Sequence, residues 1–262
     1  MMFGDAYRCR GRVFVVAEGY SSLLSSGRKG RSAADEGEEQ MNRDMVQQVV
    51  DVARRVVAGG AISANAHGNV SLRVAGEDEI YFTAGPSLRD HPAEAVVRVG
   101  LDGVLREGQL PPIQGAVVVM HTAMYADQAD VGCVIHTHSP YATAYAVAHQ
   151  PIGCWVEALA MFGLADGVPV ANYGPRGSAE AVANIRAAIV PGVPAVLLAN
   201  HGVLLFHRTP DLAIMVGGIV EEAAQAGINS AGLGGAIPIP PDMKAAALQR
   251  AMTFEHRGTT SA

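Results

Sequence analysis

At 262 residues the chain is long enough for one large domain or two small ones. Hydrophobic residues make up 49% and charged residues 17%, which excludes a disordered chain and allows a sizeable buried core. A net charge of -6 argues against nucleic acid as a partner. Three cysteines (Cys9, Cys133, Cys154) are too few and too scattered for a disulfide framework or a four-cysteine zinc site, so a reducing, cytoplasmic setting is expected.

In chain order, residues 1–40 read as an extension, because the stretch 21–40 is rich in Ser, Gly and charge. A start upstream of the natural one, with Met41 close to the true beginning, is the other reading. Val46, Val49, Val50, Ala53, Val56 and Val57 recur at helical spacing and Gly59-Gly60 closes the run. Four β-type runs follow at 69–74, 79–83, 96–99 and around Val104. Their polar turns predict antiparallel hairpins. Residues 116–125 predict a helix, 131–136 a buried strand, and 140–149 a helix with Pro near its first turn. A strand is expected at 168–173, a helix at 178–189 with Ser178 as N-cap, and a strand pair at 195–206. The last long helix spans 211–227 and, from the small residues at Gly217-Gly218, is expected to pack between subunits. Pro238-Ile239-Pro240-Pro241 then opens a C-terminal tail. The expected organisation is an extension at 1–40, one domain at 41–235 and a tail at 236–262. Strands and helices alternate without a steady βαβ rhythm, which predicts an α/β protein with a mixed sheet flanked by helices. No stretch approaches the roughly 18 apolar residues of a membrane span, and no phosphate-binding glycine loop follows a strand.

The informative feature is His136-Thr137-His138. If the strand before it continues, residues two apart project from one face and two imidazoles can share an ion. His201 follows a second apolar strand, and Gly202 directly after it permits close backbone approach. Three neutral nitrogen ligands would leave positions open for substrate, as catalytic metal sites require. Three unrelated histidines are the competing reading on spacing alone.

The order Gly68-Asn69-Val70-Ser71, then residues 134–144 around His136-Thr137-His138-Ser139, then Asn200-His201-Gly202 resembles the class II aldolase/adducin family over about residues 42–227. The resemblance implies a three-layer α/β/α fold with a mixed, mostly antiparallel sheet. It also implies a divalent metal on His136, His138 and His201, and a homotetramer with sites at subunit interfaces. Asn69 and Gly68 carry over as substrate-orienting positions. Ser87 belongs to the anion-binding turn, which reads Thr83-Ala84-Gly85-Pro86-Ser87 here.

One departure has chemical weight. The family's sugar-phosphate enzymes carry Ser-Ser-Glu four positions before a histidine. Aligned on His121, those places hold Gly115-Ala116-Val117. Valine takes no proton and alanine donates no hydrogen bond to phosphate, so the pocket is expected to be more apolar, with Val117 as a wall. Gln114 is placed to move into the gap. Glu157 is the nearest acid to stand in for the missing one, as catalytic acid/base or substrate contact; a surface glutamate is the alternative. His67 is a candidate for facing the substrate and Tyr173 for a pocket wall, each with a loop or packing role as alternative. His121 reads as a hydrogen-bonded core residue, and Cys133 and Cys154 as small buried hydrophobes.

Three histidines without a carboxylate suit iron(II) as well as zinc or manganese. The pattern resembles the family branch of decarboxylating non-haem iron oxygenases of aminocoumarin antibiotic biosynthesis. The leading expectation is therefore an Fe(II) oxygenase that uses O2 to decarboxylate an aryl 2-oxo or 2-hydroxy acid, such as a prenylated 4-hydroxyphenylpyruvate or 4-hydroxymandelate. The alternatives are a zinc or manganese aldolase, epimerase or decarboxylase that stabilises an enolate, and an adducin-like module without catalysis.

Overall fold

The computed structural model describes residues 33–189 and 192–258. The first helix, α1 (Ala33–Ala58), buries Val49, Ala53 and Val56 at the spacing of one helix face. It ends where Gly60 turns to a φ of 76°, a left-handed stop that glycine adopts without strain. The next four strands form a meander: β1 (Gly68–Arg73), β2 (Glu79–Thr83), β3 (Val96–Gly100) and β4 (Leu105–Glu107), each antiparallel to its neighbour. Then come α2 (Pro112–Asp127), β5 (Cys133–Thr137), α3 (Pro140–Ala148), α4 (Glu157–Met161), β6 (Val170–Ala171) and α5 (Ala179–Ala188). The chain closes with β7 (Ala195–Leu198), β8 (Gly202–His207), α6 (Pro210–Ser230) and α7 (Pro241–Gly258).

The sheet has eight strands in the order β4-β3-β2-β1-β5-β8-β7-β6. Only β6 and β7 run parallel. One core lies on the face covered by α1, α3, α4 and α6, and includes Val56, Val70, Ile135 and Leu205. The other lies under α2 and α5, where Phe82, Val118, Met124 and Ile185 pack with Val134 and Leu204. Neighbouring strand residues, such as Val134 and Ile135, go to opposite cores, as pleating requires. The result is the mixed, mostly antiparallel sheet between helical layers that the sequence predicted.

Several boundaries differ. Helix α1 starts at Ala33 rather than at 41; the remainder of the expected extension, Cys9 included, lies outside the described residues. The tail expected from 236 contains α7, whose Ala247 is buried in the first core. The proline run at 238–241 read as the opening of a tail, whereas Pro241 is the first residue of this helix. Helix α4 has only five residues, too few for a periodic signal. One of the two small residues of α6 faces this chain's own sheet: a Cβ on Gly217 would lie 2.8 Å from Leu205 Cδ1. The Glu221 carboxylate on the same helix accepts from the backbone N–H of Tyr141 and Ala142 at 2.9 and 2.8 Å, capping α3. Helix α6 thus packs on this chain's sheet through Gly217, while a Cβ on Gly218 would meet nothing within 4 Å in the single chain. Among the described residues no helix is long and apolar enough to cross a membrane.

Candidate metal centre

The site forms where three central strands meet. In the register of β5, His136 lies opposite Asn69 of β1 and Leu204 of β8, and Thr137 opposite Gly68 and Val203. The C-terminal end of β5 therefore meets the N-terminal ends of β1 and β8. Two glycines make that meeting possible. A Cβ on Gly68 would collide with the His136 carbonyl oxygen, and one on Gly202 would lie 2.5 Å from the Thr137 oxygen and 3.2 Å from His138 Cδ2. The turn before Gly202 is equally constrained, with Asn200 at a φ of 58° and His201 N–H donating to the Leu198 carbonyl at 3.0 Å.

His136, His138 and His201 converge there, with one ligand nitrogen from each within 4.8 Å of the others. His136 Nδ1 is 3.0 Å from the Val203 carbonyl, so it carries the proton and Nε2 offers its lone pair. The Nε2 atoms of His136 and His138 face each other at 3.2 Å. All three rings favour the neutral form. Burial, then His201 and His138, hold His136 far below its ordinary value. Burial, then His138 and Arg176, bring His201 down to about 4. Burial, followed by His67 and Arg176, lowers His138. Neutral imidazoles aimed at one point are the donor set a divalent transition ion requires, so these residues fit the ion that the sequence implied.

Two cavities border the histidines. One, of about 250 Å³, is lined by His67, Gly68, Asn69, Pro86, Gln114, Val117, His136, His138 and Arg176 among others. The other, of about 220 Å³, lies toward His201 and is largely apolar, with Ala116, Val117, Met120, Val182, Ile185 and Leu198 in its walls. Val117 borders both, and neither is lined by an aspartate or glutamate. Gln114 occupies the corner beside Asn69: its Nε2 donates to the Gly85 carbonyl at 2.9 Å, and its Oε1 accepts from Asn69 Nδ2 at 3.0 Å. Asn69 Nδ2 donates also to the Thr83 carbonyl at 3.2 Å, so both of its protons are committed. The hydroxyls of Thr83 and Ser87 are committed too, to the Val70 and Asn65 backbone. These side-chain donors are thus used within the protein.

His67 stands edge-on to His138, with ring centroids 5.8 Å apart. Tyr173 is exposed at the rim of the apolar cavity. Ser87 lines neither cavity, and Glu157 is the exposed first residue of α4, also outside both. Among the described residues no acid of the single chain lines the cavities in place of Val117. His121 is fully buried, 2.8 Å from Ser71 Oγ through Nδ1, and burial lowers it to about 3. It is a core residue, as expected. The residue the sequence reading passed over is Arg176, which lines both cavities and brings Nη2 to 3.4 Å from His201 Nε2. Its one sequence signal was the Gly174-Pro175-Arg176-Gly177 turn before the capped helix α5.

Residues 47–228 match the class II aldolase and adducin N-terminal domain family. The chain is 32% identical over 177 residues to a 5-methylthioribulose-1-phosphate/5-deoxyribulose-1-phosphate aldolase of Rhodospirillum rubrum, a match covering 68% of this chain and 77% of that one. It is 24% identical over 212 residues to an L-fuculose phosphate aldolase of Escherichia coli, covering 80% and 95%. A solved L-fuculose 1-phosphate aldolase superposes with a TM-score of 0.70 at 25% identity, covering 79% of this chain and 95% of that one. These relatives are named as aldolases, and none as an oxygenase. That corrects the leading expectation: iron, O2 and a role in antibiotic biosynthesis find no support, because three imidazoles accept several ions alike and the relatives point to carbon–carbon bond chemistry.

Proposed function

This chain belongs to the class II aldolase/adducin family, and on that basis we propose that it is a divalent-metal-dependent lyase of the aldolase type, acting on a small oxygenated substrate. The observation that carries the reading is the convergence of His136, His138 and His201 at the ends of adjacent strands. An adducin-like module without catalysis would have no use for three pre-aimed neutral imidazoles. A zinc or manganese ion held there would supply Lewis acidity, polarising a substrate carbonyl so that negative charge can develop beside it.

The protein's own residues set the rest. Val117 and Ala116 make the helix wall aliphatic, so the apolar cavity suits a substrate bearing an apolar group. The printed substrate of the Rhodospirillum relative carries a methylthio or deoxy end, which agrees with such a wall. Cleavage needs a group to take the proton from a substrate hydroxyl. Among the described residues lining the cavities, His67 and Tyr173 are the titratable groups left after the three ligands and Arg176 are set aside, and we assign that proton to His67, which stands edge-on to the ligand His138. Glu157 belongs to the reading only if a neighbouring subunit supplies it. Ile113, Val119 and Tyr173, exposed by 61%, 38% and 58% around the cavities, are the apolar surface that a homotetramer would cover.

Metal analysis of the purified protein, with release of aldehyde from a panel of ketose phosphates and 2-hydroxy or 2-oxo acids, tests the proposal. Near one zinc or manganese per subunit is expected. Aldehyde release should vanish in His136→Ala and fall about a hundredfold in His67→Gln. Iron with substrate-dependent O2 consumption and no aldehyde would sink the lyase reading.

A further inference from the structure

Arg176 is the cationic side chain that lines both cavities. The guanidinium lies at the boundary of both cavities, with Nη2 3.4 Å from His201 Nε2. Among the described residues no carboxylate pairs with it, whereas Arg98, Arg106 and Arg186 each reach one. An arginine without an acid beside three neutral ligands leaves positive charge uncompensated once an ion is bound. No aspartate or glutamate of this chain lines either cavity, so an anionic substrate would supply charge that the chain's own cavity walls lack.

Arg176 stands on a loop built for close placement. Gly174 lies so near α5 that a Cβ there would fall 2.6 Å from the Ala181 backbone nitrogen. Gly177, at a φ of 76°, would place a Cβ 2.7 Å from Ala116 Cβ. Across the loop Ser178 N–H donates to the Pro175 carbonyl at 3.0 Å, and before it Asn184 Nδ2 donates to the Tyr173 carbonyl at 3.0 Å. The loop is thus fixed to α5 at one end and to the small residue of α2 at the other. The same small α2 wall that lacks an acid gives the arginine loop its seat.

From this geometry we infer that Arg176 is the specificity-determining residue and that it selects a substrate with a carboxylate next to the oxygen that meets the ion, as in a 2-hydroxy or 2-oxo acid. A carboxylate matches the planar fork of a guanidinium. Both protons of the Asn69 amide in the same cavity are already taken, by Gln114 Oε1 and the Thr83 carbonyl, which leaves Arg176 as the cationic donor for an anion held close to the ion. The inference rests on the three histidines holding a metal ion, as proposed above.

The test uses the full-length protein loaded with cobalt(II), whose visible absorption reports on its ligands. Wild type should take up about one cobalt per subunit, and glycolate should shift the spectrum saturably while inorganic phosphate does so far more weakly. Arg176→Ala should keep the cobalt and its anion-free spectrum yet weaken glycolate about ten- to a hundredfold, the range for a lost hydrogen bond to a charged group. Arg176→Lys should recover only part of that affinity, since lysine lacks the fork. Gly177→Ala, which displaces the loop but keeps the arginine, should also weaken glycolate. Glycolate bound equally well by Arg176→Ala, or phosphate bound more tightly than glycolate, would overturn the inference with the metal reading intact. Failure of the wild type to hold cobalt would overturn both.

Discussion

On the strand side of the site, Gly68 and Gly202 leave backbone against backbone, and the three imidazoles are held by register and by one carbonyl. On the helix side, Ala116 and Val117 present only aliphatic carbon, and the polar groups beside them, Gln114 and Asn69, are bonded to each other. The strand side has the steric exactness that a metal centre needs, while the helix side has lost the acid and the hydroxyls of the sugar-phosphate pattern. Ion binding and substrate chemistry are therefore separable, since they depend on different elements.

The strand side should be the less forgiving. Gly202→Ala drives a methyl into the Thr137 carbonyl, so metal content should fall below about a tenth of an ion per subunit, with a loss of about 3 kcal/mol in stability measured by urea unfolding. A variant that kept full occupancy would show that the strand ends can separate without cost. The helix side should accept change and alter chemistry instead. Val117→Glu places a carboxylate on the boundary of both cavities and should cost the metal-free protein about 2 kcal/mol for burying it. It should also tighten metal binding and raise aldehyde release from a sugar phosphate by about a hundredfold. Unchanged metal affinity would mean that the helix wall does not face the ion.

The polar network under the sheet offers a third measurement. His121 is ordinarily at 6.5 and is lowered to about 3 by burial. Above 6.5 it is neutral in both folded and unfolded states and contributes no pH dependence. As pH falls below that, the unfolded chain takes up a proton that the folded one refuses, so stability drops by ~1.4 kcal/mol per unit until about pH 3. The gap in unfolding free energy between wild type and His121→Phe should accordingly change by about 2 kcal/mol between pH 7 and pH 5. A gap independent of pH would place water or a counter-charge beside the ring. The smallest effect belongs to the loop that carries Arg176. Ser178→Ala removes the bond that the Ala181 N–H donates to Ser178 Oγ and should lower stability by about 1 kcal/mol. Its glycolate affinity should stay within about twofold if the glycines alone hold the loop.

The histidine pair, the His201-Gly202 turn, Gly68-Asn69 and the order of strands and helices could all be read along the chain. Each is a local pattern: a spacing of two on a strand, a glycine where backbones approach, a periodicity of two or of three to four. The absence of an acid at Val117 was equally plain, because an absence in a motif needs no coordinates. The places of α4 and α7 were not read, since one is too short for periodicity and the other follows a proline run that reads as the start of a tail. The inward contact of Gly217 with β8 was not readable either, because small residues suit any close helix contact, and only the neighbouring strand shows which contact this one makes.

Arg176 marks the clearest division between the two kinds of information. Nothing in a Gly-Pro-Arg-Gly turn says what an arginine will face. Its position depends on the β5–β8 register that brings His201 to His136, and on the seat that Ala116 offers Gly177. Local spacing could nominate the metal ligands because they lie at the ends of the strands they mark. The charge beside them came from a distant loop, and contacts between segments far apart in the chain are set by packing, which leaves no periodic trace in the residues themselves.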